Sequence, residues 1–303
     1  MEIDFFKQHI TGIISSIKTP FLLNGEIDYQ GLRNFIEFAL EAGAKTVLLT
    51  PGDSLYNVLT DNEIADVTKF AAKAIGKRAM FLAASDYWWT GKTTEYVRYA
   101  CDAGADAVLV SPPERGMTVQ GLVDYYKTVS QERPVFILSA GLSSVGMQGA
   151  LKTVSILLEE APNVMGFKED YEPRFAQQAC LLAHDKWAIF AGGAKQTHMD
   201  MLPYGCDGYM SVFITYKPKI AHAYWKAIEE SNLRKAVEII RDYDLPLFKF
   251  IYSEFAAGGD AAQHGMLEVA GICGRWRRNP LPNLTDADMD KLRYFLKEHG
   301  MAI

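Results

Sequence analysis

The feature that most constrains the fold is an alternation of short apolar runs with longer amphipathic segments over the first two thirds of the chain. This alternation is typical of parallel strands joined by helices. Eight such units in about 220 residues predict an α/β fold, the (β/α)8 TIM barrel, with an open doubly wound sheet as the alternative. The predicted strands are Gly12 to Ile17, Lys45 to Thr50, Ala79 to Ala84, Asp106 to Ser111, Val135 to Ala140, Val164 to Lys168, Trp187 to Gly192 and Gly208 to Phe213.

Capping signals mark the helices between these strands. Asp28 is the predicted N-cap of a helix that stops at Gly43, because acidic N-caps and glycine C-caps satisfy the free backbone groups at helix ends. Thr60 and Glu63 have the spacing of a capping box, in a helix that ends at Gly76.

After Lys219 the strand pattern ceases, and the remaining sequence is predicted to be helical, with Thr285 as the N-cap of the last helix. We therefore predict a barrel over residues 1–225 and a C-terminal helical extension, packed on the barrel, over residues 226–303.

Composition limits the partners of a 303-residue chain whose formal net charge is -6. No basic block suggests nucleic acid, and no apolar run reaches the roughly 18 residues that cross a bilayer. The start, MEIDFFKQHI, is acidic where a signal peptide is basic, so we expect a cytoplasmic protein. Its four cysteines are spaced singly and are predicted to be buried thiols.

Lys168 is the strongest candidate for chemistry, because it ends the sixth predicted strand, where barrels place their active groups. Gly166 shares its face and is expected to leave room beside the lysine stem. A lysine among apolar strands loses hydration, so its pKa should fall and the neutral amine could attack a carbonyl to form a Schiff base. The alternative is a strand-end lysine that extends its charge into solvent.

Four segments carry a resemblance to a known family: NVMGFKED, KTPFLLNGEIDYQGL, GADAVLVSPP and GCDGYMSVF. They resemble the dihydrodipicolinate synthase and N-acetylneuraminate lyase family of class I aldolases, and the likeness extends over nearly the whole chain. It implies that Lys168 forms an imine with pyruvate or another 2-oxo acid, without a cofactor, in a homotetramer.

The loop after the second strand departs from the family pattern. The family usually has Gly-Thr-Thr-Gly-Glu there, whereas this chain has TPGDSLYNVLT. We expect Gly52, Asp53 and Ser54 to offer backbone N–H groups to the substrate carboxylate, as loop nests do. An ordinary turn around Pro51 and Gly52 is the alternative.

The usual pair of tyrosines is also missing. Alignment puts Ser139 at the end of strand five, where the family has a tyrosine that relays protons, and a serine hydroxyl is too weak an acid to replace a phenol unaided. Ser139 is nevertheless the catalytic candidate at this position, and Asp53, Glu114 and Tyr56 are further candidates for the proton relay.

Four more residues are predicted to bind substrate: Gly192, Gly193 and Lys195 in the loop after strand seven, and Met210 on strand eight. The glycines would keep the backbone close to the ligand, and Lys195 would bind a second carboxylate unless it points to water.

Three neighbouring aromatic residues follow strand three. Tyr87, Trp88 and Trp89 are predicted to form a pocket wall or a subunit interface, and the interface is favoured. His198 and His264 have no partner at ligand spacing, so no metal site is expected.

These features predict a cofactor-free Schiff-base lyase, whether aldolase, synthase or dehydratase. Two alternatives remain open at this point. One is a family member with impaired catalysis that binds a 2-oxo acid in a regulatory role, and the other is a barrel enzyme that binds phosphate at AGGAK.

Overall fold

The fold is described by a computed structural model that covers residues 3–302. Residues 1, 2 and 303, which include the outer bounds of the two predicted domains, lie outside that range. Eight parallel strands form a closed barrel in chain order, which confirms the predicted TIM barrel. The strands are β1 Gly12–Ser16, β2 Thr46–Leu48, β3 Met80–Tyr87, β4 Ala107–Ser111, β5 Val135–Leu138, β6 Val164–Glu169, β7 Ala188–Ala191 and β8 Gly208–Met210.

Helices surround the barrel and extend beyond it. They are α1 Ile3–Ile10, α2 Tyr29–Glu41, α3 Asp61–Ile75, α4 Thr90–Asp102, α5 Val119–Val129, α6 Gly146–Glu160, α7 Pro173–Ala183, α8 Lys195–Met201, α9 Pro218–Glu229, α10 Leu233–Ile239, α11 Leu245–Ser253, α12 Gly259–Val269 and α13 Asp286–Glu298. No helix within residues 3–302 is both long enough and apolar enough to cross a bilayer.

The eight predicted strands exist, but two of their ends differ in ways that affect the site. β5 stops at Leu138, and a 3-10 helix follows over Ser139–Val145, so Ser139 lies in a turn and not in the sheet. β3 continues past the predicted end at Ala84 to Tyr87. Because a shift of one residue along a strand turns each side chain to the opposite face, these strand ends decide which side chains face the barrel mouth.

The predicted caps are confirmed by their hydrogen bonds. Asp28 accepts from the Gly31 N–H at 2.8 Å, and Thr60 and Glu63 form both bonds of a capping box. Thr285 caps α13 in the same way.

Helix α1 closes the amino-terminal end of the barrel. Its Phe6 is fully buried, with its ring centroid 5.6 Å from that of Phe136 on β5, and Phe136 in turn packs on Phe190 of β7 at 6.2 Å. The interior is a packed core at this end, so the carboxyl ends of the strands are left for a site.

The C-terminal helices include one irregular segment. A π-helical stretch, Ile240–Asp244, joins α10 to α11, and Pro246 at the start of α11 lacks the N–H that a regular helix would use. The predicted boundary at residue 225 falls inside α9. The division of the chain into two domains stays a prediction.

Candidate active site

A cavity of about 340 Å³ opens at the carboxyl ends of the strands, and Lys168 lies in it. Lys168 is the penultimate residue of β6 and is only 5% exposed. The cavity is lined by Thr50, Pro51, Gly52, Asp53, Tyr87, Leu138, Ala140, Lys168, Asp170, Gly192 and Met210. The structure thus brings Lys168 together with four predicted binding residues, namely Gly52, Asp53, Gly192 and Met210.

The Lys168 ammonium forms an ion pair with the carboxylate of Asp170, two residues further along the chain. Burial raises the pKa of Asp170 above its usual range, although the positive charge of Lys168 acts in the opposite direction. Asp53, across the cavity, adds to the increase. Asp170 is therefore a carboxylate that protonates more readily than one in water. The sequence analysis assigns no role to Asp170, although it is the last residue of the NVMGFKED segment.

Ser139, which the sequence analysis places at the end of strand five, lies one residue beyond the end of β5. Leu138 and Ala140 line the cavity, whereas the Ser139 Oγ, fully buried, accepts a hydrogen bond from the Asp170 backbone N–H at 2.8 Å. Leu138 also pairs with Lys168 in the sheet register. The apolar Leu138 therefore faces the lysine at the end of strand five, and Ser139 contacts the segment that carries Asp170.

Two positions near Lys168 require glycine, each for a different structural reason. A side chain at Gly166 would collide with the Ala188 carbonyl of β7 and the Phe136 ring, so this glycine allows close strand packing and does not make room for the lysine stem as expected. A side chain at Gly192 would instead collide with the Asp170 carboxylate and the Lys168 amine. Gly192 is thus the glycine that leaves space for the ion pair.

The loop after β2 offers fewer free amides than predicted. The Asp53 N–H donates to Thr50 Oγ1 at 3.0 Å, and the Ser54 N–H donates to the Thr50 carbonyl at 3.0 Å. Ser54 is fully buried, and its Oγ donates to the Ile17 carbonyl at 2.8 Å, so it braces the loop. Within residues 3–302 the Gly52 N–H has no internal partner of this kind.

Thr50, which sequence analysis placed only as a strand end, also lines the cavity. Its hydroxyl accepts from the Asp53 N–H and keeps its own proton to donate. The donors that this loop can direct at a carboxylate are therefore the Thr50 hydroxyl and the Gly52 amide.

A second cavity, of about 190 Å³, adjoins the first and shares Asp53, Gly192 and Met210 with it. Lys18 lines it, is 6% exposed, and donates to Asp53 Oδ1 at 2.8 Å. Burial alone would raise the pKa of Asp53, but the positive charges of Lys18 and Lys168 lower it below its usual value. Lys18 was not predicted, although it follows the first strand at the position where side chains reach the barrel mouth.

Lys195 is not at either cavity. It is 1% exposed at the start of α8, and its ammonium is 2.8 and 2.9 Å from the carboxylate oxygens of Asp244 in the π-helical segment. Its charge also lies 4.2 Å from the ring centroid of Phe213. The predicted contact with a second substrate carboxylate is therefore not supported by its position. Gly193, in contrast, borders the second cavity.

An outer cavity of about 510 Å³ leads to the first one and shares Pro51, Gly52, Asp53 and Tyr87 with it. Glu114 lines this outer cavity and not the chamber of Lys168. Tyr56 is 2% exposed and packs among buried residues, where burial raises its pKa well above the usual value.

The three aromatic residues after strand three separate into different roles. Tyr87 lines both cavities, Trp88 packs on Tyr96 with ring centroids 5.2 Å apart, and Trp89 is 66% exposed. The pocket wall is therefore formed by Tyr87, and Trp89 is the residue available for a subunit interface.

The histidines singled out in the sequence lie in the interior. His198 is fully buried and hydrogen-bonded to the Tyr224 hydroxyl at 2.8 Å, and burial lowers its pKa to about 4. His264 is 1% exposed, and burial lowers its pKa to about 3. Across residues 3–302, no three His, Cys, Asp or Glu side chains form a group that could hold a metal ion.

The chain is similar to proteins of one family over nearly its whole length. A sequence model described as the dihydrodipicolinate synthetase family matches residues 9–299. The 4-hydroxy-tetrahydrodipicolinate synthase of Aquifex aeolicus (strain VF5) is 28% identical over 298 residues, which cover 96% of this chain and 98% of the relative.

Solved structures agree with the fold. The crystal structure of dihydrodipicolinate synthase from Oceanobacillus iheyensis superposes with a TM-score of 0.85 at 22% identity and covers 99% of each chain. A structure described as a monomeric dihydrodipicolinate synthase variant gives a TM-score of 0.83 at 22% identity and covers 97% of this chain and 98% of the variant.

Proposed function

The chain belongs to the dihydrodipicolinate synthetase family and is an enzyme of the Schiff-base, class I aldolase type; from this premise we propose that Lys168 forms the Schiff base and that the substrate is pyruvate or another 2-oxo acid. The observation that carries this proposal is the position of Lys168, a buried amine inside a cavity at the barrel mouth. An amine that lines such a cavity is accessible to the ketone of a small substrate.

The loop after β2 supports the recognition of a 2-oxo acid. The Thr50 hydroxyl and the Gly52 N–H are donors near the lysine, and both suit a carboxylate placed next to the reacting ketone. Asp53, by comparison, would repel a carboxylate, but its charge is matched by Lys18 at 2.8 Å. The amine, the donors and the cavity volume together fit a small 2-oxo acid.

The polar lining of the second cavity suits a polar group on the part of the substrate that extends beyond the 2-oxo acid. Lys18 and Asp53 place a donor and an acceptor side by side, and the hydroxyls of Ser16 and Ser211 border the same space. Both hydroxyls are buried and have no hydrogen-bond partner among the described residues. Since a hydroxyl can both accept from Lys18 and donate to Asp53, we propose a hydroxylated 2-oxo acid.

Borohydride trapping tests the proposal. The wild-type protein should gain one covalently bound pyruvate per chain when borohydride reduces the imine, and Lys168→Ala should gain none. Lys127→Ala is the matched control, because Lys127 is a surface lysine paired with Glu160 at 2.7 Å, and it should label like the wild type. Labelling of Lys168→Ala at another lysine would move the chemistry elsewhere.

Turnover across a panel of 2-oxo acids tests the substrate class. Hydroxylated acids should be consumed with a higher kcat/KM than alkyl acids of the same length. Consumption of none of them while pyruvate is trapped would favour a 2-oxo acid binding protein over an enzyme that acts on this class. Assembly as a homotetramer remains a proposal based on the resemblance, and one solved neighbour is described as monomeric. A cytoplasmic location also remains a proposal.

A further inference from the structure

We propose that Asp170 is a catalytic residue, which carries protons between Lys168 and the substrate. The proposal rests on the proposed function, because it assigns a proton carrier to the same imine chemistry. The missing tyrosines leave open which group transfers protons to the imine. Leu138, which pairs with Lys168 at the end of strand five, is apolar and cannot do so.

The geometry favours Asp170 over every other titratable group around the cavity. Besides Lys168, three titratable side chains line it: Asp53, Tyr87 and Asp170. Asp53 is paired with Lys18, and burial raises the pKa of Tyr87 above its usual value, which makes it a weaker acid. Asp170 alone of the three is in direct contact with the Lys168 amine.

The position of Asp170 is fixed from two sides. Its backbone N–H donates to Ser139 Oγ at 2.8 Å, so the chain just after β6 is held in place. On the other side, the absence of a side chain at Gly192 leaves space for the Asp170 carboxylate and the lysine amine together. A fixed carboxylate in contact with the nucleophile is the arrangement that proton transfer needs.

Imine formation provides a balanced task for this carboxylate. Asp170 takes one proton from the Lys168 ammonium, and the freed amine attacks the ketone carbon of the 2-oxo acid to form a carbinolamine. A second proton moves from nitrogen to oxygen during the addition. Asp170 then returns its proton to the hydroxyl, the carbon-oxygen bond breaks, and water leaves with two of the three original ammonium protons. The iminium keeps one proton and the positive charge.

The same carboxylate is placed for the next step. The iminium withdraws electrons from the neighbouring carbon, and Asp170 in its ionised form accepts a proton from that carbon to give the enamine. Its protonated form returns a proton when the enamine is converted back. Because burial raises the pKa of Asp170, protonated and ionised forms are closer in free energy than for an ordinary aspartate, which suits a group that must take and return protons.

Exchange of the methyl protons of pyruvate in D₂O tests the proposal without knowledge of the second reactant. Proton NMR should show exchange catalysed by the wild type, and Asp170→Asn should lower the exchange rate about 100-fold or more, since a positioned acid-base group contributes about that factor. Asp124→Asn removes an exposed carboxylate on α5, where it accepts from the Gln120 amide at 2.9 Å, and is the matched control, with an expected rate equal to the wild type. Addition of formate to Asp170→Ala should restore part of the exchange, which a purely structural role would not allow.

The outcomes separate this proposal from the proposed function. If the wild type traps pyruvate with borohydride but Asp170→Asn exchanges protons within about threefold of the wild-type rate, Asp170 is not the proton carrier and the Schiff base stands. If the wild type neither traps nor exchanges pyruvate, both proposals fail. If Asp170→Asn is unfolded by thermal melting, the formate experiment on Asp170→Ala decides, and the absence of rescue there contradicts the proposal.

Discussion

At the scale of single residues, Glu169 shows how burial changes a carboxyl group next to the reactive lysine. It is 2% exposed, and its Oε1 accepts from the N–H groups of Tyr171 and Glu172 at 2.8 and 2.9 Å. Its Oε2 has no partner among residues 3–302. Burial raises the pKa of Glu169 from the usual 4.5 to about 7, against the effect of those hydrogen bonds.

Glu169 should therefore make the protein less stable as pH rises from 4.5 to 7. The folded state holds the proton more tightly than the unfolded state in this window, so the contribution is full below pH 4.5 and is lost by about pH 7. The shift corresponds to about 3 kcal/mol at most. Denaturant unfolding at pH 5 and pH 8 should show this loss in the wild type.

Glu169→Gln is the control for that measurement, because glutamine resembles the protonated carboxyl at every pH. The variant should match the wild type near pH 5 and exceed its free energy of unfolding at pH 8. Parallel pH curves for the two proteins would mean that Glu169 is not the titrating group.

Some of the side chains around Lys168 could be predicted from the sequence, and others could not. Lys168 could be found because its strand and its family motif are local features. The sequence places Ser139 at the end of strand five, whereas β5 ends at Leu138, because a short strand that runs into a 3-10 helix gives no sequence signal for its last residue. The sequence does not indicate Lys18 as a cavity residue, and it predicts a substrate contact for Lys195 that its position does not support. Which lysine pairs with a carboxylate 35 or 49 residues away depends on tertiary packing.

At the scale of elements, the link between α8 and the π-helical segment is a buried ion pair. Lys195 and Asp244 are each about 1% exposed, so each charge depends on the other for compensation. Burial lowers the pKa of Lys195 and raises that of Asp244, and each partner's charge opposes the shift. The π-helical turn brings Asp244 to the start of α8.

Lys195→Met should lower the free energy of unfolding by about 3 to 5 kcal/mol, because it leaves Asp244 buried without a counter-charge. Its kcat/KM for dicarboxylic and monocarboxylic 2-oxo acids should fall by the same factor, since Lys195 is not at the cavity. Chemical denaturation and steady-state kinetics measure the two effects. A selective loss with dicarboxylic acids would restore the original prediction for Lys195.

The double variant Lys195→Met/Asp244→Leu provides the control for this pair. Replacing both charges with apolar side chains should recover most of the lost stability, as is often found for buried ion pairs. Lys127→Met, at an exposed pair, should cost less than about 1 kcal/mol.

At the scale of the whole molecule, Arg278 connects the C-terminal region to the barrel loops. Its guanidinium donates to the carbonyls of Gly25 and Val58 at 2.9 and 2.8 Å and to both carboxylate oxygens of Glu63 at 2.8 and 2.7 Å. The hydrogen bond from Arg278 lowers the pKa of Glu63 to about 2. One residue thus ties three distant segments together.

Arg278→Ala should increase hydrogen exchange in the segments 22–28, 55–63 and 274–283, as measured by mass spectrometry. The free energy of unfolding of this variant should also fall less between pH 4.5 and pH 2 than that of the wild type. In the wild type, the contribution of Glu63 is full above its usual pKa of 4.5 and is lost as pH falls through 2, and this dependence needs the arginine. Lys186→Ala, at an exposed pair with Glu159, should leave exchange in those segments unchanged.

The barrel itself could be predicted because strand and helix periodicity, caps and glycine stops are written in neighbouring residues. The contacts of Arg278 could not, because they join residues as many as 253 positions apart. The position of the second cavity next to the C-terminal helices could not be predicted either, because Tyr252 and Gln263, which line it together with Lys18, are distant from Lys18 in sequence.

Lys168 is the penultimate residue of β6 and Asp170 directly follows the strand, so a single residue separates them along the chain. When the neighbouring strands shift, the backbone of the nucleophile and that of the proposed proton carrier move together, because only Glu169 lies between them. A catalytic pair assembled from two different strands would lose its alignment with each such motion.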